Sequence, residues 1–197
     1  WITGKPVYYR NTRAEEFYAN STRHPMRDHV KIGGKKDGTI TAIFMEVKAN
    51  TGPYGNHALT VPMNSCSKTL PLFAVDNMKY DLEVYYTNTP PAGAYQGYGT
   101  PKGTYGLMMA MAELSEKLGV DYKTMVEKNH VESGYMLEIL KGLGEGREGN
   151  VVPVGSCGLG EAIKKGCDMI EWGKKETSSH DHWQIGKGIA MRLQGSG

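Results

Sequence analysis

Residues 88 to 101 constrain this chain more than any other stretch: Asn88-Thr89-Pro90-Pro91-Ala92-Gly93-Ala94-Tyr95-Gln96-Gly97-Tyr98-Gly99-Thr100-Pro101. The prolines lack an amide hydrogen and fix φ, and the glycines weaken regular pairing, so the segment is neither strand nor helix throughout. It closes on a helix start signal, with Thr100 as N-cap and Pro101 at the first helical position. The helix that follows is predicted to reach Leu118. Tyr105, Met108, Met109 and Ala112 form one apolar stripe, and Leu107, Met111, Leu114 and Leu118 another, which predicts a largely buried helix stopped by Gly119. A glycine-rich backbone delivered into a helix start suits ligand binding. Glycines let ligand atoms approach the main chain, and unpaired first-turn amides favour an oxyanion. Tyr95 and Tyr98 offer flat faces to a heteroaromatic ring, and Gln96 both donates and accepts. A tight structural connection, with both tyrosines packed into the core, fits the same pattern.

Upstream, residues 5–10 are β-branched and aromatic after Pro6, and read as a short strand. Thr12 with Glu15 or Glu16 fits the cap of a single helical turn, so the paired carboxylates read as a helix-terminus charge effect. Residues 26–34, the turn Lys35-Lys36-Asp37-Gly38 and residues 39–48 form a hairpin, since Asp-Gly readily takes positive φ. Ile43, Met45 and Val47 share one face of its second strand, and Phe44, Glu46 and Lys48 the other. Residues 50–65 read as loop, and 79–87 as a strand with Leu82, Val84 and Tyr86 alternating. Asp121 caps a short helix that ends near His130. Residues 141–155 read as loop. Ser156 is placed to cap a helix burying Leu159, Ile163, Cys167 and Ile170, and 185–193 is a final strand candidate. Strands first and helices later give an α+β class, strand-rich over 1–100 and mostly helical over 101–197, with that final strand.

Composition narrows the function. Twenty-three Lys and Arg against 21 Asp and Glu leave a formal charge of +2, without the cationic excess that nucleic-acid binding needs. No apolar run reaches membrane-spanning length, and no signal peptide pattern opens the chain. Cys66, Cys157 and Cys167 form no metal or disulfide pattern and read as buried thiols in a reducing cytoplasm. A start at Trp1 and an end at Gly195-Ser196-Gly197 lead us to expect a piece of a larger protein.

Two further segments suggest ligands. Gly142-Leu143-Gly144-Glu145-Gly146-Arg147-Glu148-Gly149-Asn150 has phosphate-loop glycines without the Lys-Ser/Thr ending, and a surface loop fits as well. His180-Asp181-His182 alternates metal-ligand types within a polar stretch that also fits a solvated linker. His24, His29 and His57 have no metal-ligand spacing.

The segment from Thr87 to Lys102 resembles a signature of the molybdenum hydroxylases, the xanthine dehydrogenase and aldehyde oxidase family. There, threonine-asparagine and a linker lead to alanine-phenylalanine-arginine-glycine-aromatic-glycine before a helix. Further resemblances follow in order: Arg23-His24-Pro25-Met26, Lys36-Asp37-Gly38-Thr39, Thr51-Gly52-Pro53-Tyr54, Leu118-Gly119-Val120-Asp121, Lys128-Asn129 and Gln194-Gly195-Ser196-Gly197. The whole looks most like bacterial xanthine dehydrogenases of the selenium-associated type, as part of the molybdopterin-binding domain. The resemblance implies a cofactor-facing loop of Ala94, Tyr95, Gln96, Gly97 and Gly99, and substrate contacts from Tyr98 and, by rough counting, Asn64. Gln96 stands where the family has arginine, and glutamine lacks that fixed cationic fork. The resemblance implies no residue of this chain ligating metal, and a general-base glutamate outside it. It further implies a molybdopterin cofactor with molybdenum, iron–sulfur clusters and FAD on partner domains or subunits, an oligomer, and a small heteroaromatic substrate, a purine or other N-heterocycle. A non-catalytic module retaining the fold, or a hydroxylase acting on an aldehyde or nicotinate, are the alternatives.

Overall fold

The Asp37-Gly38 turn joins two long strands, β1 (Met26–Gly34) and β2 (Ile40–Gly52), paired antiparallel with Val30 opposite Met45 and Ile32 opposite Ile43. Gly38 sits at φ +83, where a side chain would be strained, and Asp37 Oδ1 accepts from the Thr39 amide at 3.1 Å. The expected face of β2 is the buried one: Ile43, Met45, Val47 and Ala49 are all in the core. A third strand, β3 (Asn77–Tyr86), lies on the other side of β2 and runs parallel to it, giving the order β1-β2-β3. We consider a computed structural model of the protein, which describes residues 2–143, 149 and 151–194.

A parallel pair cannot be joined by a tight turn. The crossover here carries α2 (the second helix, Thr60–Ser67; α1 is Arg13–Tyr18) and a 3-10 turn, Leu70–Leu72. The expected loop over 50–65 is therefore shorter, ending where α2 begins. Asn64, Ser65, Cys66 and Ser67 have little helical preference and no amphipathic period, so burial rather than pattern holds α2 in place. The long helix α3 (Thr100–Leu118) packs on β1 and α2. At the crossing a Cβ on Gly103 would come within 1.7 Å of the Ser65 carbonyl oxygen, so only glycine lets the two backbones meet. α4 (Tyr122–Asn129) and α5 (Leu159–Met169) complete the core with Met125, Val126, Ile163 and Cys167.

Several expectations are corrected. Residues 5–10 form no strand: Val7, Tyr8 and Tyr9 are exposed and have no partner edge. Thr12 does cap α1, with Glu15 completing a capping box. Only the Leu107–Met111 side of α3 is deeply buried, with Met108 beside it, while Tyr105 is 70% exposed and Met109 also faces out. The N-cap of α3 is Gly99 rather than Thr100, because φ +90 is needed to turn the loop into the helix. Likewise Gly158, not Ser156, caps α5, and Ile170 is largely exposed. Residues 185–193 form no strand. They are held by burial of Met191 and by the Leu193 amide, which donates to the Lys68 carbonyl at 3.0 Å. Cys66 and Cys167 are buried as expected, whereas Cys157 is half-buried and donates to the Val131 carbonyl. No helix among the described residues is long and apolar enough to cross a membrane.

Candidate functional site

The loop before α3 is anchored at its base by backbone pairing. The Thr22 amide donates to the Pro91 carbonyl, the Gly93 amide to the Thr22 carbonyl and the Ala92 amide to the Thr51 carbonyl, at 2.9–3.1 Å. Gly93 is packed so closely that a Cβ would lie 2.7 Å from Ser21 Oγ. At its far end the loop closes on itself. The Tyr98 amide donates to the Tyr95 carbonyl at 2.7 Å, and Gly97 and Gly99 take φ +84 and +90.

This closure overturns one expectation. The first-turn amides of α3 are not left open for an oxyanion, since Thr100 donates to the Gly97 carbonyl at 3.0 Å and Lys102 to the Gly99 carbonyl at 3.2 Å. Pro101 has no donor. The open donors lie one step earlier. The amides of Ala94, Tyr95, Gln96 and Gly97 make no hydrogen bond to any described residue, and residues 94–96 are exposed.

The two tyrosines have different surroundings, and neither is packed into the core. Tyr95 is 51% exposed and its ring receives the Arg23 guanidinium, 4.6 Å from the centroid. Arg23 Nη2 also donates to the Gln96 carbonyl at 2.8 Å. One guanidinium thus fixes two consecutive loop residues, by stacking and by a hydrogen bond. Tyr98 is half-buried at φ +38, an unusual backbone for a residue with a side chain. Its hydroxyl lies 2.7 Å from His57 Nδ1 and 2.8 Å from Thr60 Oγ1, and its ring meets the His57 ring edge to face. Asn64, by contrast, is only 2% exposed on α2, where its Oδ1 accepts from Ser67 Oγ at 2.8 Å.

Beneath the loop lies a polar cluster that the sequence did not flag. His24 is 1% exposed, and its imidazole is pulled down to about 4 by burial and by the Lys102 charge, with the nearby Gly93 backbone working the other way. Burial pushes the Asp28 carboxyl up to about 6, against the pull of Lys102. Lys102 is brought down to about 8 by burial and by the Arg23 charge. Among the described residues, the buried side-chain atoms without a hydrogen-bond partner are Arg23 Nη1, both His24 ring nitrogens, Asp28 Oδ1 and Thr100 Oγ1. All belong to this loop's surroundings. Buried polar atoms are rarely left unpaired in native proteins, and these five are grouped in residues 23–28 and at the start of α3. The Arg-His pair had surfaced in the sequence only through family resemblance, and nothing in local pattern linked it to residues 93–102.

The other candidates gather no chemistry. His180 and His182 are exposed, and no cluster of His, Cys, Asp or Glu suited to a metal occurs among the described residues. The glycine-rich 142–150 segment falls mostly on residues 144–148 and 150, outside the described residues, as do Trp1 and residues 195–197.

Comparisons with known proteins identify the family. Residues 1–130 match the family model of the molybdopterin cofactor-binding domain. The chain is 48% identical over all 197 residues to the probable hypoxanthine oxidase XdhD of Escherichia coli (strain K12), covering 20% of that relative. It is 34% identical over 119 residues, 60% of its own length, to the nicotinate dehydrogenase large molybdopterin subunit of Eubacterium barkeri, covering 28% of it. Among solved structures, the aldehyde oxidoreductase from Desulfovibrio gigas superposes with a TM-score of 0.68 at 21% identity, over 82% of this chain and 17% of that one. Quinoline 2-oxidoreductase from Pseudomonas putida 86 gives 0.65 at 17% identity, over 86% and 21%. The chain thus spans about a fifth of the length of the XdhD relative. The expected α+β fold, that of the molybdenum-binding domain, is the one observed.

Proposed function

Because this chain belongs to the molybdopterin cofactor-binding domain family, we propose that it forms one wall of the cofactor and substrate pocket of a xanthine dehydrogenase-like hydroxylase. The observation that carries this is the loop itself. Four consecutive amides, 94–97, that make no hydrogen bond to a described residue stand on a glycine-built turn that Arg23 holds from one side. The residues present fit a pterin-type group: exposed donors, close-approach glycines, and a buried guanidinium nitrogen, Arg23 Nη1, without a partner among the described residues. A 48%-identical relative named a probable hypoxanthine oxidase supports a purine or related N-heterocycle as substrate.

When bound, the molybdenum–pterin group supplies the redox chemistry, in which water-derived oxygen is added to an electron-poor ring carbon. This chain's share is positional. Residues 94–97 present donors along one edge of the pocket, with Gln96 adding a side chain that donates and accepts. Tyr98 supplies a ring to stack on the substrate, its tilt fixed by His57 and Thr60. Asn64 we assign to packing of α2 behind the loop, since it is buried and paired with Ser67. No residue of this chain is assigned as general base or metal ligand. Iron–sulfur and FAD partners, an oligomeric assembly and a cytoplasmic location complete the reading of the whole protein.

Gln96 favours one second reading, a module that keeps the fold without the chemistry, because glutamine cannot supply the cationic fork of arginine. Molybdenum and pterin content of the full-length subunit, purified with its partners, separates the two. Stoichiometric molybdenum supports the hydroxylase. Its absence, in cells that load another hydroxylase, sinks that reading. In the loaded enzyme, Tyr98→Ala is expected to raise KM about tenfold or more, and an unchanged KM removes the stacking role.

A further inference from the structure

Among the described residues, three other than glycine take a positive φ, and two of them touch: His57 at +53 and Tyr98 at +38. A left-handed backbone is costly for a residue with a side chain, and such strain persists where the surrounding structure holds it in place. The two lie on different segments, His57 just before α2 and Tyr98 just before α3. Backbone fixes both. The His57 carbonyl accepts from the Val61 amide at 3.2 Å, and the Tyr98 amide donates to the Tyr95 carbonyl at 2.7 Å. The missing Cβ of Gly99 lets the Tyr98 loop lie against the Val61 carbonyl, only four residues from His57. The fold therefore sets the distance between the two side chains.

Their polar atoms are unevenly committed. The Tyr98 hydroxyl lies between His57 Nδ1, at 2.7 Å, and Thr60 Oγ1, at 2.8 Å. An imidazole nitrogen is a far better acceptor than a phenol oxygen, so Tyr98 donates to Nδ1 and Thr60 donates to Tyr98. A neutral imidazole that accepts at Nδ1 carries its hydrogen on Nε2. His57 is exposed, and its Nε2 makes no hydrogen bond to a described residue. The two rings stand at 87° with centroids 5.6 Å apart, which puts this donor beside the hydroxyl edge of Tyr98. A flat ring lying on Tyr98 brings its own edge there. We propose that His57 is a specificity-determining residue of the pocket, its Nε2–H donating to a ring nitrogen or carbonyl oxygen on the edge of a heterocycle stacked on Tyr98. This role rests on Tyr98 as the stacking face of the proposed pocket, and it narrows the substrates to N-heterocycles with an acceptor on that edge. Stacking by itself takes any flat ring, whereas a donor at the edge is left unmet by rings that cannot accept.

Two flat bicyclic probes separate these contributions. Hypoxanthine has carbonyl and ring-nitrogen acceptors, and indole has none. Each is measured by anaerobic equilibrium dialysis against the full-length subunit with its partners, with no electron acceptor present, and molybdenum is assayed in the same preparation. His57→Asn is expected to weaken hypoxanthine about tenfold and indole less than about twofold, since Asn accepts a positive φ but is too short to span Tyr98 and the ligand. Tyr98→Phe keeps the ring and releases the imidazole, so it too should weaken hypoxanthine and spare indole, whereas Tyr98→Ala weakens both. Equal losses of the two probes in His57→Asn overturn the assignment, because His57 then acts only by holding the tyrosine. So does hypoxanthine binding that is absent, or indifferent to His57→Asn. The hydroxylase reading stands or falls separately, on molybdenum. Selective loss in a molybdenum-free subunit keeps His57 as a ring-reading residue of a binding module, and an indifferent His57→Asn in a loaded, active subunit leaves the hydroxylase without it.

Discussion

At the scale of single residues, the glycines at the start of α3 are the least replaceable positions. Gly99 sits at φ +90, and a Cβ there would fall 2.0 Å from the Val61 carbonyl oxygen. Gly99→Ala must therefore move backbone against backbone, with an expected loss of about 3 kcal/mol or more. Gly119 also has positive φ, +67, but no atom lies within 4 Å of where its Cβ would stand. Gly119→Ala should cost only about 1 kcal/mol, the strain of a left-handed C-cap alone. Denaturant midpoints of the two variants check the difference, and equal losses would mean that the close approach of α2 and the loop is not tight. Tyr98 belongs to the same scale. Its positive φ is stabilised by two side-chain hydrogen bonds, so Tyr98→Phe removes the anchor of the ring while keeping the ring.

Among the elements, the turn of the hairpin is tied to α4 by one buried side chain. Asn129, 2% exposed at the end of α4, accepts from the Ile40 amide at 2.8 Å and donates to the Gly38 and Met125 carbonyls at 2.8 and 2.7 Å. Asn129→Leu strips partners from three buried backbone groups and is expected to destabilise by about 3 kcal/mol, read from denaturation. Lys128, its neighbour, holds Asp37 in the same turn, and this hydrogen bond together with the Thr39 amide keeps the Asp37 carboxyl well below its usual range. The capping box of α1 behaves differently. Thr12→Ala should cost about 1 kcal/mol locally. α1 has no buried residue, so hydrogen exchange in residues 13–18 should quicken while the global midpoint stays put.

For the molecule as a whole, the polar cluster under the loop shapes the response to acid. His24 ionises at about 4 in the folded chain against 6.5 ordinarily, so between those values the unfolded chain binds the extra proton and stability falls as pH drops. Asp28 ionises at about 6 against 3.8, so in its window the folded chain holds the extra proton and stability falls as pH rises. The two effects oppose each other between about pH 4 and 6. Asp28→Asn removes one arm, and acidification from pH 7 to 4 should then cost about 2 kcal/mol more than in the wild type. His24→Gln should reverse the sign, with stability rising as pH falls over the same range. Denaturation series across pH for the two variants check this, and parallel profiles would remove the cluster from the account.

The elements whose cause is local were legible before any folding was known. The Asp37-Gly38 hairpin, the alternation of β2, the Thr12 cap, the Asp121 cap and the Gly119 stop each follow from backbone chemistry within a few residues. The sequence also marked the 88–101 loop as irregular and ligand-suited. Tertiary structure decided whatever depends on partners far away in the chain. Residues 5–10 and 185–193 have strand-like composition but meet no free edge, so they form no strand. Residues 60–67 lack a helical pattern, yet burial under α3 makes them helix. The amides at the start of α3 looked open because their acceptors are loop carbonyls, which only the positive-φ turns at Gly97 and Gly99 bring into reach. Arg23 reaches Tyr95 and Gln96 for the same physical reason: local propensity sets how a few residues bend, and only packing brings residues 72 and 73 positions apart into contact.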